Sequence, residues 1–149
     1  KINRPRNSIQ LGAYINLVCD ENEQTALSLG KLIAGMVAHF AGLKHAPTEH
    51  LPPRLRAVAE HLQSQYDMAR HAQEAGSHLA LIDEDFVDWF SICGPPQKCI
   101  ERLEPLINMG LEHIYQLGGT PVAHPHGARQ IAMVEQAQLF ATDVIPHFR

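Results

Sequence analysis

Cysteine is scarce in this 149-residue chain, and the three that occur, Cys19, Cys93 and Cys99, are odd in number and form no C-x-x-C pair. A disulfide framework is therefore not expected, and a reducing cytoplasm is the natural setting. Long apolar runs are also lacking. The longest, Leu32 to Leu43, is interrupted by His39 and falls well short of the ~20 residues a membrane span requires. Lys1 to Gln10 is polar and has no apolar core of the kind an export signal carries. A basic excess is missing too: 12 Lys and Arg stand against 16 Asp and Glu, for a formal net charge of −4. No basic run interleaves with aromatics, so the chain has no field to steer nucleic acid or an anionic membrane. Neither is an expected partner.

What is present is enough apolar material, 45% of residues, for the core of one ordinary domain. Leu11-Gly-Ala-Tyr-Ile-Asn-Leu-Val18 reads as a buried strand. Asp20 with Glu23 resembles a capping box opening a helix, along which Ala26, Leu29, Ile33, Val37 and Phe40 make one apolar face to about Ala41. Gly30 and Gly35 inside that helix each cost ~1 kcal/mol relative to Ala, a cost that close packing against a neighbour would explain. Pro52-Pro53 starts a second helix with the stripe Leu55, Val58, Ala59, Leu62, Tyr66 and Ala69, stopping near Gly76. Leu62 sits at the centre of that stripe, and Gln63 falls on its polar side.

Asp83 is placed to cap a short helix through Trp89. Phe90 to Cys93 is a brief extended segment, and Gly94-Pro95-Pro96 turns into a helix with the stripe Cys99, Ile100, Leu103, Leu106 and Ile107. Arg102 is expected on its solvent side. Pro105 should kink this helix, and Gly110 closes it. His113-Ile-Tyr-Gln-Leu117 is a second good strand. A loop from Gly118 to Gly127 leads to a last helix, about Ala128 to Ile145, ended by Pro146. Strands alternating with long helices imply parallel βα units. Yet two convincing strands cannot cover four long helices, and a whole eight-stranded barrel needs about 250 residues. The chain reads as an incomplete α/β object.

Three stretches, taken together, resemble the luciferase-like monooxygenase family, whose members use FMN or the deazaflavin F420. One is Ala13-Tyr-Ile-Asn-Leu-Val-Cys-Asp20 with the Ala- and Gly-rich helix after it. Another is Tyr66-Asp-Met-Ala-Arg-His71, Gly76-Ser-His78 and Leu81-Ile-Asp-Glu-Asp-Phe-Val-Asp88, similar to the methylenetetrahydromethanopterin-reductase-like branch. The strongest is Ser91-Ile-Cys-Gly-Pro-Pro-Gln-Lys-Cys-Ile-Glu-Arg-Leu103 through Met109-Gly-Leu-Glu-His-Ile-Tyr115. The resemblance implies the C-terminal half of a (β/α)8 TIM barrel over residues 11–149, helix-rich, with two main parallel strands and one short extended segment. Residues 1–10 would be a linker or truncation remnant, and roughly half of the enzyme would lie upstream.

By that comparison the parent is a flavin-dependent oxidoreductase acting on a small-molecule substrate. It would transfer hydride or activate O2 at a flavin in the barrel mouth, with FMN or F420 in the full-length protein and neither bound by this half alone. Association as a homo-oligomer, or with the missing N-terminal half, is expected from exposed strand edges. The rival reading is a non-enzymatic, self-associating α/β interaction module. One departure matters: sugar-phosphate dehydrogenases of the family place an Arg before the Trp of this region, and here Asp88 precedes Trp89, which makes a sugar phosphate a doubtful substrate.

The barrel reading puts Gly118, Gly119 and Thr120 on the active-site rim after the last strand, where unhindered N–H groups could approach a phosphate or carbonyl; a plain turn fits equally. Tyr66, His71 and His78 are the other rim candidates. Tyr66 also suits a core position, and His71 also suits a solvated helix end. Ten histidines raise the question of a metal, but His124-Pro125-His126 lacks further ligands beside it, and structural zinc takes four; no metal site is assigned. Cys93 and Cys99 have no neighbouring base and are read as packing residues.

Overall fold

β1 (Gly12–Cys19) forms where Tyr14, Ile15 and Val18 supply the aromatic and β-branched side chains that suit a pleated surface. The computed structural model describes residues 5, 8–38, 47–65, 79–117 and 128–149, with the backbone path alone for 128–133. The first half of β1 pairs in parallel with β3 (His113–Leu117), from Gly12 opposite His113 to Asn16 opposite Leu117. Its second half pairs in parallel with β2 (Ile92–Gly94), from Leu17 opposite Ile92 to Cys19 opposite Gly94. The sheet order is β2-β1-β3. Two main strands and one short one match the expectation, with the short one displaced slightly toward Gly94.

The helices start and stop for local reasons. α1 (Glu23–Ala38) is capped by Asn22, whose Oδ1 accepts the Thr25 N–H at 3.0 Å, and not by Asp20. Asp20 is held at the sheet end instead, its N–H donating to the Gly94 carbonyl at 3.0 Å, while its Oδ1 accepts the Asn22 N–H at 2.8 Å. α2 (Pro53–Gln65) opens on proline as expected. α3 (Glu84–Phe90) is capped by Asp83, which accepts the Phe86 N–H at 2.9 Å. α4 (Pro96–Asn108) runs on past Pro105, which sits in its last turn. It then ends at Gly110, φ 97°, where Gly110 N–H reaches Ile107 O and Leu111 N–H reaches Leu106 O. Those two bonds are a Schellman closure, and its left-handed residue is the position that favours glycine. α5 (Ala128–Leu139) continues into a π turn, Phe140–Val144, and a 3₁₀ turn, Ile145–Phe148. The helical path therefore passes Pro146, whose missing N–H is harmless in a first turn.

Successive strand residues point to opposite faces, and the core divides accordingly. Val18 and Cys93 join α1, α2 and α3 in one cluster with Leu62 and Phe86 fully buried. Leu17, Cys19 and Ile92 join α4 and the C-terminal turns in the other, around Leu103, Phe140 and Val144. Helices of the chain thus cover both faces of the sheet where β1 meets β2. Gly30 is explained by this packing: a Cβ there would collide with Cys93 Sγ and meet Val87 Cγ1 at 3.0 Å. Where β1 meets β3 the cover is thinner. Tyr14 is 72% and Tyr115 54% exposed, their rings 5.1 Å apart.

Candidate functional site

A cleft of about 480 Å³ opens beside Tyr14, Ile15 and Asn16 of β1, roofed by Trp89, Phe90 and Ser91 and closed by Arg102 and Leu106 of α4. It lies where β2 is too short to accompany β1: β2 begins opposite Leu17, so the preceding residues of β1 have no neighbour on that side among the described strands. Leu117, the last residue of β3, also lines it. The walls are mainly apolar with a few convergent polar groups, the character usual for a small-molecule site.

Two of those polar groups are unsatisfied. Asn16 and Ser91 are 7% and 3% exposed, and Asn16 Oδ1 and Ser91 Oγ, each exposing under 1 Å², have no hydrogen-bond partner among the described residues. Buried polar atoms are nearly always paired, and those that are not concentrate at functional places. At the rim, Trp89 packs against Phe86 and Phe90 with centroids 5.7 and 6.2 Å away, and the residue is 43% exposed.

The charges that surround Arg102 cancel. Asp88 meets Lys98 Nζ at 2.9 Å and Arg102 at 3.3 Å, and Lys98 also reaches Glu23 at 2.8 Å. Arg102 donates besides to the Asp88 carbonyl at 2.9 Å. Burial works against ionising Asp88, but Lys98 and Arg102 outweigh it and hold the carboxyl below its usual range. Burial likewise opposes the charge on Lys98, and Glu23 and Asp88 overcome it and raise the ammonium. Arg102 therefore does not face free solvent as its place on the helix suggested; it is half-buried and ties α4 to α3. Asp88 is the hub of this network.

At the other end of β1, Asp20 Oδ2 accepts from Gln136 Nε2 beside a second cleft of about 300 Å³ lined by Cys19, Glu135 and Leu139. The cysteines behave as packing residues. Burial pushes the Cys93 thiol up to about 12, and a hydrogen bond with Cys99, reinforced by burial, raises the Cys19 thiol. Among the described residues no three His, Cys, Asp or Glu side chains gather as metal ligands, and no helix is long and apolar enough to cross a membrane.

The rim candidates Tyr66, His71, His78, Gly118, Gly119 and Thr120 lie outside the described residues, as do Gly76, His124 and His126. The cleft itself is built from residues the sequence did not single out. A carboxamide at Asn16, inside an otherwise apolar strand, was the available signal, because such a residue is seldom buried without a reason.

No family model matches the chain. Over 146 residues, 98% of its length, it is 25% identical to a 5,10-methylenetetrahydromethanopterin reductase of Methanopyrus kandleri. The chain is homologous to that reductase. The solved structure of the coenzyme F420 dependent tetrahydromethanopterin reductase from Methanopyrus kandleri covers 96% of the chain at a TM-score of 0.55 and 24% identity. That match shows the fold, part of a (β/α)8 barrel, as the family resemblance implied. The chain spans 37% of the length of each of these relatives.

Proposed function

We propose that this chain is the C-terminal half of a cytoplasmic oxidoreductase that, at full length, transfers hydride between coenzyme F420 and a small-molecule substrate. The observation that carries the reading is homology along 98% of the chain to a reductase. The F420 dependence of that relative's solved counterpart favours F420 over FMN, and hydride transfer over O2 activation. When bound, the cofactor supplies the redox chemistry, and the protein's part is orientation and exclusion of water.

The residues present fit a supporting share of that work. Trp89, Phe90 and Tyr14 offer flat apolar walls that keep water from a ring. A phosphate grip is a different matter. Lys98 and Arg102 are already neutralised by Asp88 and Glu23, so the described part has no spare cation at the cleft for a phosphorylated cofactor tail. On this reading the main cofactor grip belongs to the upstream half, and Gly118, Gly119, Thr120, Tyr66, His71 and His78 complete the rim.

The test is turnover. The protein extended upstream by the missing barrel units, assayed with reduced F420 and methylenetetrahydromethanopterin, should oxidise the cofactor in step with substrate reduction. Gly119→Val in that protein should slow turnover by crowding the rim. An extended, folded protein that binds F420 but is equally active as Gly119→Val would remove the glycine rim from the site; one that neither binds nor oxidises F420 would end the oxidoreductase reading.

A further inference from the structure

The strand order β2-β1-β3 places β1 in the middle, and backbone bonds flanking β1 put its neighbours on opposite edges. His113 N–H donates to Leu11 O on the β3 side and Asp20 N–H to Gly94 O on the β2 side, at 3.1 and 3.0 Å. Successive residues of a strand aim their N–H and C=O groups at alternate edges, so an odd and an even position serve different neighbours. A (β/α)8 barrel is built otherwise. Its strands follow one another in chain order and its helices form one outer ring, so β2 would stand between β1 and β3. The far edge of β1 would then belong to the strand before it. Here β3 holds that edge, and helices lie on both faces. α1, α2 and α3 pack against Val18 and Cys93, and α4 and the C-terminal turns against Leu17, Cys19 and Ile92.

β3 is also the strand held most lightly. None of its residues is buried, whereas every residue of β2 is. A parallel strand is ordinarily buried on both faces. β3 has instead its backbone pairing with β1, the exposed contact of Tyr14 with Tyr115, and one side-chain bond from Gln116 Nε2 to Leu17 O.

We propose that β3 is a placeholder on β1: in the longer protein the strand preceding β1 displaces it by parallel addition to that edge, and β3 moves to the edge of β2 that no described strand occupies. The inference rests on the reading of this chain as the C-terminal half of a barrel. The incoming partner is an extended apolar segment of the upstream half, because its side chains must lie beside Ala13 and Ile15 on one face of the sheet and Tyr14 on the other. Since α4 links β2 to β3, it crosses to the outer face in the same step.

A disulfide across β1 and β3 tells the two arrangements apart. A Cβ added at Gly12 lies 3.3 Å from His113 Cβ, close to the ~3.5–4.5 Å that a disulfide spans. Gly12→Cys with His113→Cys should therefore oxidise readily in the 149-residue chain. In the protein extended upstream the two positions stand two strand spacings apart, roughly 9.5 Å, beyond the ~7 Å over which two cysteines can be bridged. The native Cys19, Cys93 and Cys99 are buried and leave the introduced pair to react. Mass spectrometry after mild oxidation of the folded proteins should find the bond in the chain and at least about tenfold less of it in the extended protein. Tyr14→Cys with Tyr115→Cys, opposite each other in the same register and exposed, should behave alike and covers a folding defect in the first pair. Equal bond formation in both proteins would leave β3 on β1 and overturn the exchange. No bond in either would show that β1 and β3 do not pair, and would overturn it as well. Turnover of F420 by the unsubstituted extended protein separates this inference from the oxidoreductase reading: an active protein that forms the bond loses only the exchange, and an inactive one in which the bond is confined to the shorter chain loses only that reading.

Discussion

At the scale of single residues, the strongest constraints are steric and ionic. Gly30 leaves no room beside Cys93 and Val87, so Gly30→Ala should destabilise the chain by about 1–3 kcal/mol, the usual cost of overpacking, although alanine is the better helix former. Chemical denaturation checks the sign: stabilisation would mean that α1 does not press on β2 as closely as described. Leu62→Ala and Leu103→Ala, both at essentially buried positions, should each cost about 2–5 kcal/mol. Cys93 adds a pH signature. Its thiol is pushed from an ordinary value of 9.0 up to about 12 by burial, so the folded state holds its proton where the unfolded state has lost it. Stability should then decline as pH rises from 9 towards 12, by about 1.4 kcal/mol per pH unit from this group. Cys93→Ala should show a shallower alkaline decline than the parent in urea melts, and an unchanged slope would remove the buried thiol as its cause.

At the scale of elements, the helices are joined as much by charge as by their apolar faces. Asp83 caps α3 and pairs with Arg54 at 3.0 Å, and Asp88 joins α3 to α4 through Lys98 and Arg102. Both carboxyls are held below their ordinary value of 3.8: burial opposes their ionisation, but for Asp83 the Phe86 N–H and Arg54 prevail, and for Asp88 the two cations do. A carboxylate with a lowered folded pKa contributes stability above its unfolded value and loses it as pH falls through the folded one. Acid unfolding should therefore set in below about pH 4, and Asp88→Asn should flatten it in a pH-resolved thermal melt. Arg102 shows where sequence periodicity misleads. It lies off the apolar stripe of α4, yet its guanidinium folds back onto Asp88, a contact that no helical spacing within one element can reveal. The strand and helix stripes were legible because burial on one face imposes a period on the residues. The start of α1 was misplaced by two residues because Asp20 and Asn22 are both capable caps, and only the bond from Asp20 N–H to Gly94 O decides between them. The cleft was illegible for the same reason: Asn16, Ser91 and Arg102 are brought together by β1, the junction of α3 with β2, and α4, with no local motif among them.

At the scale of the whole molecule, the sheet is well covered at one end and thin at the other. Leu11, Tyr14 and Tyr115 are exposed along β1 and β3, and Met109 is 66% exposed just before β3. Apolar residues gathered at a strand edge favour association, so light scattering should find a dimer or larger species, or a stable complex with an upstream fragment; a monomer at high concentration would count against a half-barrel. The alternation of elements gave parallel βα units, the resemblance carried most strongly by Ser91 to Tyr115 implied the barrel, and the shared fold and homology agree with it. The central claim is that the main cofactor grip lies in the other half. It is tested most directly by titrating F420 into the 149-residue chain and, in parallel, into the protein extended upstream. The account predicts binding no tighter than roughly millimolar, about −4 kcal/mol, for the chain alone and far tighter binding for the extended protein. Micromolar binding by the chain alone would contradict it.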